Sequence, residues 1–256
     1  PANSRFSFLE WRFLLGAFAV YASFFQRSYD QMIHDVCMQK LPVCFLLDRA
    51  GLVGEDGATH HGVFDLASML PIPNMTVLAP RDLQELRLMV RWTERMDGPC
   101  AIRYGKHSVD MRETYPCREF TPGKWELMED GPDAALLAVG SMVESALEMR
   151  ELLAKHHLHV AVVNCSTVKP MDEDMLRRMN DRPSITLEEH VLTGGFGAAV
   201  CAWCVGEELR PPVLSLGVPD TFVQHGDREQ LLKYLGLQPK QMAQRVRAVL
   251  EAEKNG

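Results

Sequence analysis

The sequence lacks the features that would place a protein in a membrane, on nucleic acid or in the secretory pathway. Its long apolar segment at residues 13–25 is too short to span a bilayer. The same segment has neither the cationic start nor the small-residue cleavage site of a signal peptide. Positive charge is not in excess either, because the formal net charge of the 256 residues is −7. That balance argues against nucleic acid or an anionic membrane as a main partner.

A regular cysteine pattern is also missing. The seven cysteines are odd in number and irregularly spaced, and most lie in apolar runs. We therefore expect a reduced, intracellular protein. Since no signal or transit peptide is visible, we expect a bacterial-type, cytoplasmic location. Cys201 and Cys204 have CxxC spacing without a second pair, which favours two small core residues over a metal or redox site. The first residue is proline and not methionine, so a fragment, a processed product and an incompletely recorded gene all stay open.

What the sequence does contain is an alternation of strand-like and helix-like segments. Apolar runs of strand length predict strands at 16–23, 42–47, 75–79, 100–104, 134–139, 160–164, 184–187 and 213–216. The intervening segments have helical periodicity. This alternation predicts an α/β fold of two doubly wound, mainly parallel-sheet domains. The apolar rhythm weakens at residues 116–132, which we interpret as a linker between domains at 1–115 and 133–256.

The loop from Asp48 to Gly62 is the most informative segment. It follows an apolar strand, and its four glycines leave the backbone free to turn and to approach a ligand closely. The loop also carries a cation, carboxylates and a His-His pair. Since open α/β sheets bind ligands beyond the carboxyl ends of their strands, this mixture predicts a site for an anionic substrate that exchanges protons. The alternative is a solvated surface loop.

Several long motifs, in order, resemble a known family. The segments are YASFFQRSYDQ at 21–31, DRAGLVGEDGATHHG at 48–62, PNMTVLAP at 73–80, ITLEEHVLTGGFG at 185–197 and GVPDTFVQHG at 217–226. They closely resemble 1-deoxy-D-xylulose-5-phosphate synthases, which are thiamine-diphosphate-dependent relatives of transketolase. The resemblance runs from about residue 19 to the C-terminus.

The resemblance implies a transketolase pyrimidine-binding domain at 1–115 and a transketolase C-terminal domain at 133–256. The family's third domain, which binds the cofactor diphosphate, has no counterpart here. Its Gly-Asp-Gly and Asn-rich metal loop is absent from the sequence. We therefore expect only the pyrimidine end of thiamine diphosphate to bind this chain, no metal ligands within it, and Mg²⁺ on the missing domain.

The resemblance assigns the cofactor-binding positions to the first motif. Phe24 matches the aromatic residue on which the family stacks the aminopyrimidine ring, and a flat apolar face suits that ring. The alternative is a core phenylalanine beside Phe25. Tyr21 and Arg27 match neighbouring positions around the cofactor and substrate, although Arg27 could instead extend along the helix surface.

The substrate-side positions lie in and after the loop. Arg49 matches a residue that grips the phosphate of the aldehyde acceptor, and its alternative is an ion pair with Asp48 or Asp56. Asp56 and His60 match the family's catalytic polar pair, in which histidine exchanges protons near neutral pH. His61 is the adjacent histidine. We expect Arg49, His60 and Lys106 to come from separate βα loops and to converge at the carboxyl edge of the sheet.

Two places depart from the family pattern. Lys106 stands where the family has a second phosphate-binding arginine, unless a shift of one residue brings in His107; lysine keeps the charge and loses the bidentate fork. The family's catalytic glutamate would lie upstream of Pro1, and Glu10 is far out of register. Residues 1–18 do not resemble the family's helix. The glycines at 194–197 could cradle a phosphate at a helix start, but we interpret them as structural.

The resemblance thus implies a portion of a synthase that condenses pyruvate with glyceraldehyde 3-phosphate, with loss of CO₂, for isoprenoid and for thiamine and pyridoxal precursor synthesis. Whether this chain alone is an enzyme stays open, and we expect it to be inactive alone. Its expected partner is a second copy in a homodimer or a chain that carries the diphosphate domain. The alternatives are the C-terminal subunit of a split transketolase-type enzyme and a non-catalytic assembly module.

Overall fold

The fold contains two five-stranded sheets flanked by helices. A computed structural model describes residues 16–106, 115–117 and 119–255. Both sheets are mainly parallel, with connecting helices between most of the strands. The predicted α/β architecture with two mainly parallel sheets is therefore confirmed.

The first sheet is built from the first half of the chain and has the order β1-β2-β4-β3, all parallel. Its strands are β1 (Gly16–Tyr21), β2 (Val43–Asp48), β3 (Thr76–Leu78) and β4 (Cys100–Arg103). Its helices are α1 (Ala22–Phe25), α2 (Tyr29–Gln31), α3 (Asp65–Met69) and α4 (Leu83–Thr93). A 3₁₀ turn (Gln26–Ser28) and a π-helical segment (Met32–Cys37) extend the helical run around α2. That run starts directly after β1, five residues earlier than the predicted helix at 27–39.

The second sheet has the order β10-β9-β6-β7-β5, in which β5 alone is antiparallel. The strands of the second half are β5 (Glu126–Pro132), β6 (Ala134–Ala138), β7 (Val160–Asn164), β8 (Thr167–Lys169), β9 (Ser184–Val191) and β10 (Leu214–Val218). The helices are α5 (Met142–Ala154), α6 (Glu173–Met179), α7 (Phe196–Gly206), α8 (Arg228–Tyr234) and α9 (Pro239–Asn255). Strands β6 and β7 are fully buried apolar runs, as expected for parallel strands covered on both faces.

Strand β8 joins the two halves of the molecule. It lies in the second half of the sequence but pairs antiparallel with β3 of the first sheet. One apolar core runs across the junction and includes Phe45 from the first sheet together with Leu137, Val163 and Phe196 from the second half. Two domains that share a strand and a core hold their facing loops in a fixed relation.

Part of the expected linker is regular structure. Residues 126–132 form β5, whose partly exposed, charged sequence suits the antiparallel edge strand of the second sheet. Trp125 is buried beside it and donates its indole N–H to the Thr167 carbonyl at 2.7 Å. The weak apolar rhythm of this stretch therefore marks a sheet edge as well as the passage between domains.

Candidate functional site

The carboxyl ends of β1, β2 and β4 lie side by side. Tyr21, the last residue of β1, is in register with Asp48, the last residue of β2. Beyond β4 the chain continues along β2, since the Tyr104 N–H bonds the Leu47 carbonyl and the Tyr104 carbonyl accepts from the Ala50 N–H, each at 3.0 Å. The segments that follow these three strands therefore meet at one edge of the sheet, as the sequence predicts.

Arg49 is held in a defined orientation at this edge. Its backbone has φ of +58°, an unusual conformation for a side-chain-bearing residue, and its N–H donates to Asp48 Oδ1 at 2.7 Å. The guanidinium donates to Asp48 Oδ2 at 2.9 Å and lies over the Tyr21 ring. Its Nε is buried, 4.0 Å from Asp56 Oδ2, and makes no hydrogen bond within the described part of the chain. One face of the arginine is thus fixed while its hydrogen-bonding capacity is incompletely used.

An aromatic surface adjoins the arginine. The Tyr21 and Phe24 rings are stacked, with centroids 5.6 Å apart and an interplanar angle of 16°. His60 meets Phe24 edge-on at 5.3 Å. Phe24 is 47% exposed, whereas the adjacent Phe25 is 1% exposed and belongs to the core. Of the two phenylalanines, Phe24 is therefore the one whose ring is accessible at the surface.

The loop from Asp48 to Gly62 is closed at its base by reciprocal backbone hydrogen bonds between Gly51 and Gly62, both 2.8 Å. Gly51, Gly54 and Gly57 all have positive φ, between +76° and +83°, a region that glycine enters without strain. The tip carries Asp56, which is exposed, and His60, which is partly buried. His60 Nδ1 lies 2.9 Å from the Thr59 hydroxyl, and no hydrogen bond joins Asp56 to His60 in the described residues.

His61 has a different role from His60. It is 3% exposed, and its Nδ1 accepts the Val53 N–H at 3.1 Å. Its Nε2 must then carry the proton that reaches the Gln224 carbonyl at 3.2 Å. His61 therefore ties the loop to the second domain.

One expectation about the convergence needs restating. Arg49 and His60 both belong to the connection between β2 and α3, so the expectation of three separate βα loops is wrong for that pair. Lys106 follows β4 at the same edge and is exposed, and Arg27 is exposed on the 3₁₀ turn after α1. His107, Glu10 and residues 1–15 lie outside the described residues.

A cleft of about 340 Å³ lies beside α1, and Ala58 and Thr59 near the loop tip form part of its lining. It is also lined by Ser23, Phe25, Asp65 and, from the second domain, Phe222. The Ser23 hydroxyl is buried and has no hydrogen-bond partner among the described residues. Phe222 is 75% exposed and meets Phe64 edge-on at 6.4 Å. Sequence reasoning did not single out Ser23 or Phe222, although both lie in motifs that carry the resemblance.

A run of buried polar residues in β9 was also missed as a functional feature. The predicted strand stops at residue 187, because the sequence Glu188-Glu189-His190 is charged, yet the strand continues to Val191 and these three side chains are at most 3% exposed. Burial raises the pKa of Glu188 to about 7 and lowers the pKa of His190 to about 4. The sequence signal that could have indicated this feature is a run of charged residues directly after an apolar strand segment.

The partners of this run explain its burial. His190 Nε2 accepts the Ala67 N–H at 3.3 Å, and its Nδ1 donates to the Val191 carbonyl at 2.7 Å. Beside it, Arg103 binds Asp65 through two hydrogen bonds of 2.7 and 3.2 Å. Polar groups are thus paired across the boundary between the first sheet and β9, which is how a protein tolerates them in its interior.

The glycine-rich turn at 194–197 is occupied by a protein carboxylate. Glu188 accepts the N–H groups of Phe196 and Gly197 at 2.7 and 2.8 Å, at the start of α7. A buried carboxylate stands where an anion would otherwise sit. This geometry agrees with the structural interpretation of the turn and not with a phosphate cradle.

The cysteines are all free. The two cysteines of the CxxC pair differ in their exposure to solvent. Cys204 is 4% exposed and belongs to the core, but Cys201 is exposed, so the expectation of two core residues is wrong for Cys201. Within the described residues no group of three or more His, Cys, Asp or Glu side chains could hold a metal ion. No helix in that part of the chain is both long and apolar enough to cross a membrane.

Comparison with known proteins gives consistent matches over nearly the whole chain. The transketolase pyrimidine-binding domain profile matches residues 14–111, and the transketolase C-terminal domain profile matches residues 123–242. The 1-deoxy-D-xylulose-5-phosphate synthases of Pelotomaculum thermopropionicum and Clostridium acetobutylicum are 46% and 42% identical to the chain, over 91% and 90% of its length. The chain spans 37% and 38% of the length of these two relatives.

A solved structure gives a similar result at the level of the fold. A protein described as a split gene transketolase, inactive beta4 tetramer, superimposes with a TM-score of 0.81 at 31% identity. The match covers 92% of this chain and 75% of that chain. Similarity in sequence and in fold therefore covers the same two-domain unit.

Proposed function

This chain belongs to the transketolase family of thiamine-diphosphate-dependent enzymes, and we propose that it is the pyrimidine-binding and C-terminal portion of a 1-deoxy-D-xylulose-5-phosphate synthase. The complete enzyme condenses pyruvate with glyceraldehyde 3-phosphate and releases CO₂. The observation that carries the proposal is the cluster of Tyr21, Phe24, Arg49, Asp56 and His60 at one sheet edge. These residues lie within residues 14–111, which match the transketolase pyrimidine-binding domain profile, and the chain is 42–46% identical to proteins that bear this name.

The cofactor end of the site is assigned to the aromatic surface. Phe24 stacks the aminopyrimidine ring of thiamine diphosphate on its exposed face, supported from behind by Tyr21. Arg27, exposed one turn further on, contributes positive charge near the cofactor. Bound thiamine diphosphate supplies the carbon nucleophile for the two-carbon unit. We assign its diphosphate and Mg²⁺ to the family's diphosphate domain.

The acceptor end is assigned to the loop and to the segment after β4. Arg49 binds the phosphate of glyceraldehyde 3-phosphate by charge-assisted hydrogen bonds, while Asp48 and the Tyr21 ring hold its orientation. Lys106 adds a second positive charge at the same edge. His60 exchanges a proton with the acceptor's carbonyl oxygen or hydroxyl, and Asp56 adds an exposed carboxylate to the same loop tip.

A split enzyme is the second candidate, and one observation favours it. The similar solved structure is described as a split gene transketolase, of which this chain covers 75%. On that hypothesis the chain is a separate subunit whose diphosphate domain resides on a partner chain. It uses a ketose phosphate and not pyruvate as donor if it is a transketolase in the strict sense.

The test is reconstitution. The purified chain is mixed with a separately expressed diphosphate domain from a similar synthase, with thiamine diphosphate and Mg²⁺, and is assayed with glyceraldehyde 3-phosphate and either pyruvate or a ketose phosphate as donor. We expect CO₂ and product from pyruvate in the mixture and no turnover by the chain alone. Turnover with the ketose phosphate only would establish the second candidate. If the mixture forms a stable complex but turns over neither donor, the non-catalytic assembly module would be the remaining hypothesis.

A further inference from the structure

Glu189 of the second domain reaches across the domain boundary to the candidate acceptor loop. It lies in β9 and is 3% exposed. Its Oε1 accepts the Leu52 N–H at 2.7 Å, although the two residues are 137 positions apart in the chain. Its Oε2 accepts the Ser141 hydroxyl at 3.0 Å. The Arg228 guanidinium forms a salt bridge to the same carboxylate. Both carboxylate oxygens are therefore fully used, as a buried charge requires.

The loop is shaped to receive this carboxylate. Gly51 has φ of +83°, and a Cβ at that position would meet Glu189 Oε1 at 2.8 Å, so only glycine permits the approach. Leu52 and Val63, which are next to the Gly51–Gly62 base of the loop, are 2% and 3% exposed and pack in the apolar core of the second domain. The base of the loop is thus anchored to the second domain by one charged group and two apolar groups.

The segment around Arg228 holds the same loop at a second point. The Gly226 N–H donates to the Gly54 carbonyl at 3.3 Å, and the Gln224 carbonyl accepts from His61. Since Arg228 binds Glu189, this carboxylate joins residues 50–54 to residues 224–228. Asp56 and His60 lie at the tip between the anchored points, without a direct hydrogen bond to the second domain among the described residues.

From this arrangement we propose that Glu189 is a positioning residue: it fixes the loop so that Asp56 and His60 are presented at the carboxyl edge of the first sheet. The second domain would then set the affinity for the acceptor without touching it. We call the contacts of Glu189 with Leu52, Ser141 and Arg228 the clamp. The clamp itself is supported by the hydrogen bonds described above, whereas its effect on the acceptor rests on the proposed function. A purely structural salt bridge would stabilise the domain boundary without affecting the tip of the loop.

The first test uses the chain as it is. In Glu189→Gln the volume is kept, but one amide oxygen must serve donors from Leu52, Ser141 and Arg228, and the amide NH₂ faces another donor. Amide hydrogen exchange in peptides covering 48–62 should accelerate by about ten-fold or more, the equivalent of one lost charge-assisted hydrogen bond. Glu229→Gln is the matched control, because Glu229 is exposed on the neighbouring helix, and it should exchange like the wild type. Unchanged exchange in Glu189→Gln would overturn the clamp.

The second test reads the tip of the loop. The edge-on contact with Phe24 should give the His60 ring protons a ring-current shift in the NMR spectrum, and Glu189→Gln should move them toward ordinary histidine positions. A fixed His60 signal would reduce Glu189 to a structural role. If Glu189→Gln does not fold, Ser141→Ala removes one hydrogen bond to the same carboxylate and should produce the same changes in weaker form; wild-type behaviour of that variant in both measurements would then count against the proposal.

The third test separates this inference from the proposed function. In the reconstituted synthase, Glu189→Gln should raise the KM for glyceraldehyde 3-phosphate by about ten-fold and change the KM for pyruvate by less than about two-fold. Equal changes in both constants, or none, would overturn the link to the acceptor. An inactive wild-type reconstitution would instead count against the proposed function, and the exchange and NMR measurements would still decide whether Glu189 positions the loop.

Discussion

The guanidinium carbon of Arg49 lies 4.0 Å from the centre of the Tyr21 ring. The contact follows from strand register, because Tyr21 is opposite Asp48 at the ends of two adjacent parallel strands, and Arg49 comes next. A guanidinium over an aromatic face gains about 0.5–1 kcal/mol at an exposed site and more when it is partly desolvated. Together with the two hydrogen bonds to Asp48, the ring orients the arginine before any substrate arrives.

That preorientation predicts a selective effect of Arg49→Ala. In the reconstituted synthase we expect the KM for glyceraldehyde 3-phosphate to rise about ten- to hundred-fold, since a charge-assisted hydrogen bond is worth roughly 1.5–3 kcal/mol. The KM for pyruvate should change much less. Arg49→Lys is the matched control, which should recover part of the affinity because it keeps the charge and loses the fork. A larger effect on pyruvate than on the acceptor would contradict the assignment.

The adjacent phenylalanines allow a second, internally controlled prediction. Phe24→Ala should cost about 1 kcal/mol or less of stability, because the ring is 47% exposed. Phe25→Ala should cost about 3–5 kcal/mol, because that ring is 1% exposed in the core. Denaturant unfolding of the chain measures both values. In the reconstituted enzyme, Phe24→Ala should also weaken thiamine diphosphate binding. Equal stability losses would indicate that Phe24 is a core residue after all.

The sequence predicts those parts of the fold that local patterns determine. Strand β7 (Val160–Asn164) is predicted at its observed bounds, because it is an apolar run of strand length between polar flanks. Strand β8 (Thr167–Lys169) was missed, because three residues carry no periodicity and the strand exists through its pairing with β3. Strand β9 was predicted too short, because Glu188 and the two residues after it look like a solvated end until their distant partners are known.

In the candidate site, too, the features that follow from local sequence could be predicted, and those that depend on distant contacts could not. The carboxyl-edge positions of Tyr21 and Arg49 follow from the order of strands and loops, and their roles come from the resemblance and stay predictions. The clamp by Glu189 could not be predicted, because Leu52 is 137 residues away and the hydrogen bond appears only when the two sheets are assembled. For the same reason the His-His pair could not be resolved into a tip residue, His60, and a buried anchor, His61.

Exposed apolar side chains predict self-association or a requirement for a partner chain. Phe18 on edge strand β1 is 45% exposed, Phe24 after it 47%, and Phe64 and Phe222 near the cleft 40% and 75%. Large apolar side chains exposed in this number mark an interface in many proteins. Sedimentation of the dilute chain should show a dimer or a larger species. Phe18→Ser should shift that equilibrium toward the monomer, with the exposed Tyr234→Ser, remote in sequence, as the control. A wild-type monomer at every concentration would contradict this prediction.

Glu85 predicts a pH dependence of stability that one substitution removes. The side chain is 3% exposed at the start of α4, where it accepts the Arg81 N–H at 2.7 Å and the Asn164 amide at 2.9 Å. Burial raises the pKa of Glu85 from 4.5 to about 7, with the Arg81 N–H and charge opposing the shift. Between about pH 4.5 and 7 the folded state therefore binds more protons than the unfolded state, and this group's contribution to stability falls as pH rises through that window.

Glu85→Gln should eliminate that component, because glutamine matches the neutral acid in size and cannot ionise. Its NH₂ can donate to Asn164 Oδ1, which is buried without a partner among the described residues, if the asparagine amide turns over. At pH 4.5 the variant and the wild type should differ little; by pH 7.5 the variant should have gained on the order of 3 kcal/mol relative to the wild type, at about 1.4 kcal/mol per pKa unit. Denaturant unfolding at a series of pH values measures the free energy of unfolding of both proteins. His190 contributes an opposite pH dependence, but it does so in both proteins and therefore cancels in the difference between them. Glu229→Gln, at an exposed site, should run parallel to the wild type, and a parallel course for Glu85→Gln would show that Glu85 is ionised throughout.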